Sequence, residues 1–253
     1  MALVYSEVPC VAAGTFTTNI VKAAPVKWDQ EIVYNHPTAQ AIVCNSGIAN
    51  ACTGEEGYGY CRKTAEAASA ALSIPEDSVL VASTGVIGKQ IPIDKIAAGV
   101  EMLKPQLAAT REAAATAAQA IMTTDTEPKE VAVQIEIGGK TVTIGSMCKG
   151  SGMIHPNMCT MLSFVATDAN ISKEMLQKAL SEVVPDTYNM VSVEGILPQT
   201  IPFSFWQTVL PETRKLRKKT RITRFSKKHS LKSIKHRRCT SQATARAQPH
   251  CSK

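Results

Sequence analysis

A chain of 253 residues, 44% hydrophobic and 19% charged, can bury a real core in one large domain or two small ones. Its formal charge of +7 invites a nucleic-acid or membrane partner, but 15 of its 28 basic residues lie in Ile196–Lys253 beside a single acid, Glu212. That leaves 13 basic and 20 acidic residues for Met1–Gly195, so a uniformly basic protein is excluded: the body is acidic and only the tail is basic.

In chain order, Ala2 to Val11 and Gln40 to Cys44 are short runs rich in Val and Ile that predict buried strands. Tyr60 to Leu72 carries Ala and Leu at helical spacing and stops before Pro75. Val79 to Ser83 predicts another strand, ending in a tight turn at Ser83-Thr84-Gly85. Ile93 to Met122 is Ala-rich and helical, broken or kinked at Pro105. Val131–Ile137 and Lys140–Ile144 alternate on either side of Gly138-Gly139, the pattern of a hairpin with a two-residue turn. Thr160 to Val165 predicts a half-buried strand or helix, and Ile171 to Val183 a helix opened by Ser172 with Glu174 in its first turn. Helices mixed with strands indicate an α/β sandwich, and no internal repeat is visible. Ile196 to Leu210 has no period of either kind, and the hydrophobic residues of Lys215 to Arg238 share no face.

No apolar h-region follows Met1, and no apolar run approaches the ~20 residues a membrane span needs. None of the eight cysteines forms a Cys-x-x-Cys pair, so a reducing cytoplasm is the expected setting. Cys148, His155 and Cys159 have no second ligand pair at finger spacing, and no metal is expected.

Chemistry is concentrated in Lys149-Gly150-Ser151-Gly152-Met153-Ile154-His155-Pro156-Asn157-Met158-Cys159-Thr160-Met161-Leu162. A threonine follows a small residue at the mouth of an apolar run, with a lysine and a Gly-Ser-Gly turn upstream. Cleavage between Cys159 and Thr160 would give Thr160 a free α-amino group beside its own hydroxyl. Such a group titrates near pH ~8 and can take the hydroxyl proton as the threonine attacks a carbonyl. His155 is then not needed as a base and reads as a turn residue. Taken alone, Thr160 also suits the start of a half-buried element, Ser83-Thr84-Gly85 a polar turn, and Lys149 a solvated charge.

Asn45-Ser46-Gly47-Ile48-Ala49-Asn50-Ala51-Cys52-Thr53-Gly54, Val81-Ala82-Ser83-Thr84-Gly85-Val86-Ile87-Gly88, Ile121-Met122-Thr123-Thr124-Asp125-Thr126 and the block around Thr160 occur in that order. Together they resemble the ornithine acetyltransferase (ArgJ) family, the bifunctional glutamate N-acetyltransferases of arginine biosynthesis, from about Ala2 to Gly195. The resemblance implies a mixed α-β sandwich with an N-terminal threonine nucleophile. It also implies self-cleavage before Thr160, where the family usually has alanine and this chain has Cys159. Residues 1–159 would form an α-chain-like region, 160–195 the start of a β-chain, and 196–253 a disordered basic tail.

By the same resemblance, Thr84 and Gly85 correspond to the oxyanion hole, and Thr123, Lys149 and Thr160 to substrate-binding positions. A lysine suits the α-carboxylate carried by both implied substrates, N-acetyl-L-ornithine and L-glutamate. The implied reaction is ping-pong through an acetyl-threonine intermediate, with acetyl-CoA as a further donor in some members and no cofactor. The implied partners are small molecules and the α and β chains themselves, two of each, with no nucleic acid and no membrane.

Family members also carry a segment before the stretch at Ala2–Ser6. After the glycine they continue Asp-Thr-Ser-Thr-Asn-Asp-Thr-Val, with an acidic substrate-binding residue and Asn and Ser/Thr contacts further on. One nucleotide deleted from a coding sequence for that continuation gives a frame reading Ile196–Thr208, so a frameshifted tail is expected. The alternatives are an inactive truncated fragment, an N-terminal-nucleophile peptidase and a nucleic-acid binder acting through the basic arm.

Overall fold

The computed structural model describes residues 1–150 and 161–190, and the backbone of 203–206. The chain opens with β1 (Ala2–Cys10), β2 (Ala12–Thr15), α1 (Ala24–Asn35), β3 (Ala39–Ile48), α2 (Gly54–Leu72) and β4 (Val79–Val86). It continues through α3 (Ile93–Leu103), α4 (Arg111–Ala120), β5 (Lys129–Ile137), β6 (Lys140–Lys149), β7 (Leu162–Thr167), α5 (Lys173–Val183) and β8 (Phe203–Trp206). The strands make two sheets, one of three strands ordered β1-β3-β4 and one of five ordered β2-β8-β7-β6-β5.

The alternation of β7 shows how the layers stack. Leu162 and Phe164 join Ile42, Leu80 and Ile121 in one core between the sheets. Val165 points the other way and packs with Leu176 and Leu180 of α5, while the Ser163 hydroxyl pairs with the Tyr188 hydroxyl at 3.0 Å. Successive side chains therefore serve opposite faces, as a strand requires. β4 instead reads as an unbroken apolar run because α1 and α2 cover its second face. The result is an α/β sandwich in which α1 and α2 cover the outer face of the first sheet, α5 that of the second, and α4 touches strands of both.

Among the described residues β4 is also an edge of its sheet, and α1 supplies part of what a further strand would. Trp28 Nε1 donates to the Val79 carbonyl at 3.0 Å, and the buried Asp29 carboxylate accepts the Val81 amide at 2.8 Å. α1 thus satisfies two backbone groups of this edge, the Val79 carbonyl and the Val81 amide, which would otherwise be buried without partners.

Several elements depart from the sequence-based expectation. β4 does not end in a turn at Ser83-Thr84-Gly85: both Thr84 and Gly85 stay in the strand, opposite Ser46 and Gly47 of β3, and the register slips at Gly47/Ile48. α2 begins at Gly54, six residues before the predicted start. The long Ala-rich helix is broken rather than kinked, since a single 3₁₀ turn, Lys104–Gln106, separates α3 from α4 around Pro105. The hairpin forms as expected but extends to Lys129 and Lys149, with φ of 59° and 77° at Gly138 and Gly139. Ser172 caps α5 as predicted, accepting from the Met175 amide. In the tail, where no strand period is visible, Phe203–Trp206 pairs antiparallel with β2 and parallel with β7. Ser151–Thr160, including the predicted cleavage pair Cys159 and Thr160, lies outside the described residues, as does the tail beyond Trp206.

Candidate active site

The sheets bring the ends of β4 and β6 together beneath the loop that follows α4. Lys149, the last residue of β6, is 3% exposed, an unusual place for an ammonium group. Its Nζ donates to Thr123 Oγ1 at 2.6 Å and to Thr84 Oγ1 at 3.3 Å. Thr84 is buried on β4, while Thr123 and Gly85 are exposed, so the group opens to solvent on that side. Three residues separated by up to 65 positions, named by the sequence as candidates, therefore share one cluster.

The backbone at Gly85 is shaped by contact with β3. Its φ is +134°, and a Cβ there would stand 2.2 Å from the Gly47 carbonyl carbon and 2.3 Å from its oxygen. No other residue fits without moving one strand. Beside it, Ser83 Oγ donates to Asn45 Oδ1 at 2.7 Å, and Asn45 Nδ2 donates to the Ile48 carbonyl at 2.9 Å. The end of β3 is thereby tied to β4. The first motif, Asn45–Gly54, serves this scaffold: Asn50 is fully buried, accepts from Thr53 Oγ1 at 2.7 Å and donates to the Gly57 carbonyl at 2.8 Å.

Two charged residues that sequence reasoning had not assigned complete the cluster. Asp125 has no exposed side-chain surface and lies 3.8 Å from the Lys149 Nζ through Oδ2. Its Oδ1 accepts from Lys129 Nζ at 2.7 Å and from the Gly150 amide at 2.8 Å. Burial pushes its carboxyl upward, but these two hydrogen bonds and the charges of both lysines outweigh it, and the carboxyl titrates below its ordinary range. Lys149 moves down as well, because burial disfavours its ammonium more than Asp125 supports it. A spacing of two from Thr123 and four from Lys129 was the sequence signal for Asp125, too common to stand out.

Among the described residues the cluster counts two ammonium groups against one carboxylate. A buried surplus of positive charge is costly unless an anion arrives to share it. The two threonine hydroxyls accept from Lys149, so each keeps its own O–H to donate elsewhere. The cluster can thus bind a carboxylate and offer hydroxyl donors to a developing negative charge. Cys44, nearby on β3, is no rival nucleophile, since burial pushes its thiol up to about 12 despite the Lys149 charge. Among the described residues no three His, Cys, Asp or Glu side chains converge to hold a metal, and no helix is long and apolar enough to cross a membrane.

Comparison with known proteins gives the chain its relatives. The arginine biosynthesis bifunctional protein ArgJ of Thermotoga neapolitana is 51% identical over 196 residues, and ArgJ 1 of Clostridium acetobutylicum is 53% identical over 194. Each match covers 77% of this chain but 49% and 47% of the relative, so the chain spans about half the length of these curated relatives. Among solved structures, ArgJ from Bacillus halodurans matches at 44% identity and a TM-score of 0.58, over 63% of this chain and 81% of that one. The ornithine acetyltransferase of Mycobacterium tuberculosis, solved in complex with ornithine, matches at 40% identity and 0.52, over 61% and 81%. An L-aminopeptidase D-Ala-esterase/amidase from Ochrobactrum anthropi, described as a variant of the Ntn hydrolase fold, shares the fold alone at 12% identity and 0.52, over 90% and 71%. The family pattern described as "ArgJ family" matches residues 1–197, and the chain belongs to that family.

Proposed function

We propose that this chain carries the acyl-transfer site of an arginine-biosynthesis enzyme, moving an acetyl group from N2-acetyl-L-ornithine to L-glutamate through Thr160. The observation that supports it most is the buried Lys149 ammonium, which donates to both Thr84 and Thr123 and is left with charge for a carboxylate. Both substrates present an α-carboxylate to such a group. A solved relative at 40% identity holds ornithine, and curated relatives bear the name arginine biosynthesis bifunctional protein. The first residue of β7, Leu162, follows Thr160 by two positions and pairs with Lys149.

In this reading the bond between Cys159 and Thr160 is cut, freeing the Thr160 α-amino group. That amine takes the hydroxyl proton as Thr160 Oγ attacks the acetyl carbonyl of N-acetylornithine. The Thr84 hydroxyl and the Gly85 amide stabilise the tetrahedral oxyanion, and Lys149 with Thr123 holds the α-carboxylate. Collapse returns the proton to the departing amine and releases ornithine, leaving acetyl-Thr160. The amine of glutamate then attacks the ester carbonyl, and N-acetylglutamate leaves as Thr160 regains its proton. Acetyl-CoA enters, where it is used, as an alternative first donor to the same threonine, and the chemistry needs no cofactor. Two α and two β chains would make up the assembly, in the cytoplasm, with neither nucleic acid nor membrane as partner.

The test is a denaturing gel and intact-mass measurement on the purified chain, with labelled acetyl transfer from N-acetylornithine to glutamate. The unaltered chain should give two fragments meeting at Cys159/Thr160, Thr160→Ala a single uncut one, and label should pass to glutamate only in the first. An uncut chain that nevertheless transfers acetyl overturns the threonine route.

A further inference from the structure

The cluster contains one more carboxylate and one more lysine than the proposed chemistry uses. Asp125 makes four polar contacts from a fully buried position: Lys129 Nζ at 2.7 Å, the Gly150 amide at 2.8 Å, the Thr123 amide at 3.4 Å and Lys149 Nζ at 3.8 Å. They join the loop after α4, the start of β5 and the end of β6 through one side chain. The contacts are unequal. The short one goes to Lys129, whose side chain is 15% exposed, and the long one to Lys149, at 3%. Attraction between unit charges falls with separation, so Asp125 is matched first by Lys129.

We propose that Asp125 is a positioning residue of the acyl-transfer site, with Lys129 as its counter-ion, holding the Lys149 ammonium and the Gly150 amide in place while leaving the Lys149 charge for a substrate carboxylate. The proposal rests on the reading of Lys149 given under Proposed function. Were Lys129 absent, Asp125 would spend its charge on Lys149, and an incoming carboxylate would meet a neutral pair. Were Asp125 absent, two ammonium groups would face each other with nothing between them, and the more buried one would lose its proton first. Among the described residues, the charged and titratable groups that act on Lys149 are Asp125, Lys129 of β5, Cys44 of β3 and Cys148 of β6. Burial and Lys129 push its titration down, and Asp125 pushes it up.

The two substitutions therefore move the same lysine in opposite directions, which a merely structural role would not do. The chain is labelled with ¹³C-lysine and the Cε signal of Lys149, assigned by its loss in Lys149→Met, is titrated by NMR. Asp125→Asn should lower the midpoint by about one pH unit, and Lys129→Met should raise it by a smaller amount. Lys129→Met should also raise the KM for N-acetylornithine about tenfold, with kcat within about threefold of the unaltered chain. Shifts of the same sign in both variants, or none in either, overturn the proposal. If Asp125→Asn does not fold, Lys129→Met decides alone: an upward shift supports the role and an unmoved midpoint rejects it. The NMR readout needs no turnover, so opposite shifts in a chain that transfers no acetyl group would uphold the charge arrangement and count against the acetyltransferase reading instead.

Discussion

Gly85 shows how tightly one residue is held where two strands meet. Its Cα approaches the Gly47 carbonyl so closely that an added methyl would overlap it, and the φ of +134° is one that other residues avoid. Gly85→Ala should cost about 3 kcal/mol of stability, from backbone strain and overpacking together. If its amide faces the oxyanion as proposed, turnover should fall on the order of 100-fold, while KM changes little. Thermal melts with steady-state kinetics would check both, and a stable variant with undiminished kcat would remove Gly85 from the mechanism. Thr84, Thr123 and Lys149 could be found in the sequence because each stands in a distinctive motif. Asp125 shares the motif of Thr123, and Lys129 lies just beyond it, but neither stood out there, because their importance comes from the burial of a charge count, and burial is a property of the folded sheets rather than of local order.

At the scale of elements, the least legible piece is α1, which packs on β4, the strand that carries Thr84. Its cap residue Ala23 makes no side-chain bond, and its buried face includes an aspartate, Asp29, so the usual start signal and apolar period are both broken. Pro25, at the start of the helix, followed by Val26, Ile32 and Val33, was the signal available. α2 was legible only from Tyr60 because Gly54, Gly57 and Gly59 hide the period, although Glu55 and Glu56 mark a helix N-terminus. The irregular acid in α1 has a definite task, accepting the Val81 amide on the open edge of β4, three residues before Thr84. Asp29→Ala leaves that buried amide without its acceptor, at about 2 kcal/mol. Amide exchange at Val81 should speed up accordingly, and Asp29→Asn, which keeps an acceptor oxygen, should restore much of the protection. Equal protection in all three chains would mean that another group satisfies the amide.

Across the whole molecule, the sequence indicated an α/β sandwich and the hairpin β5–β6 but not the sheet order, because β2 pairs with β8 and β4 with β3 across long separations that no local pattern encodes. The same long-range assembly makes the fold depend on pH through the buried cluster. Asp125 titrates below its ordinary value in the native state, so under acid conditions the unfolded chain binds the proton that the folded one refuses. Its contribution is therefore complete above about pH 5 and is lost as pH falls through its ordinary value near ~3.9 and on to its lower native value. Lys149 works on the alkaline side with the opposite timing. Its native titration is also lowered, so a cost of keeping it charged is present at neutral pH and relieved as pH rises toward ~10.4. Comparing Asp125→Asn with the unaltered chain by urea unfolding should show a deficit of about 3 kcal/mol near neutral pH, since removing one partner strands the lysines. That deficit should shrink as acid protonates Asp125 in the unaltered chain and the two side chains become equivalent. A gap that stays constant down to about pH 3 would mean that Asp125 acts through packing alone, and the charge balance around Lys149 would lose its central member.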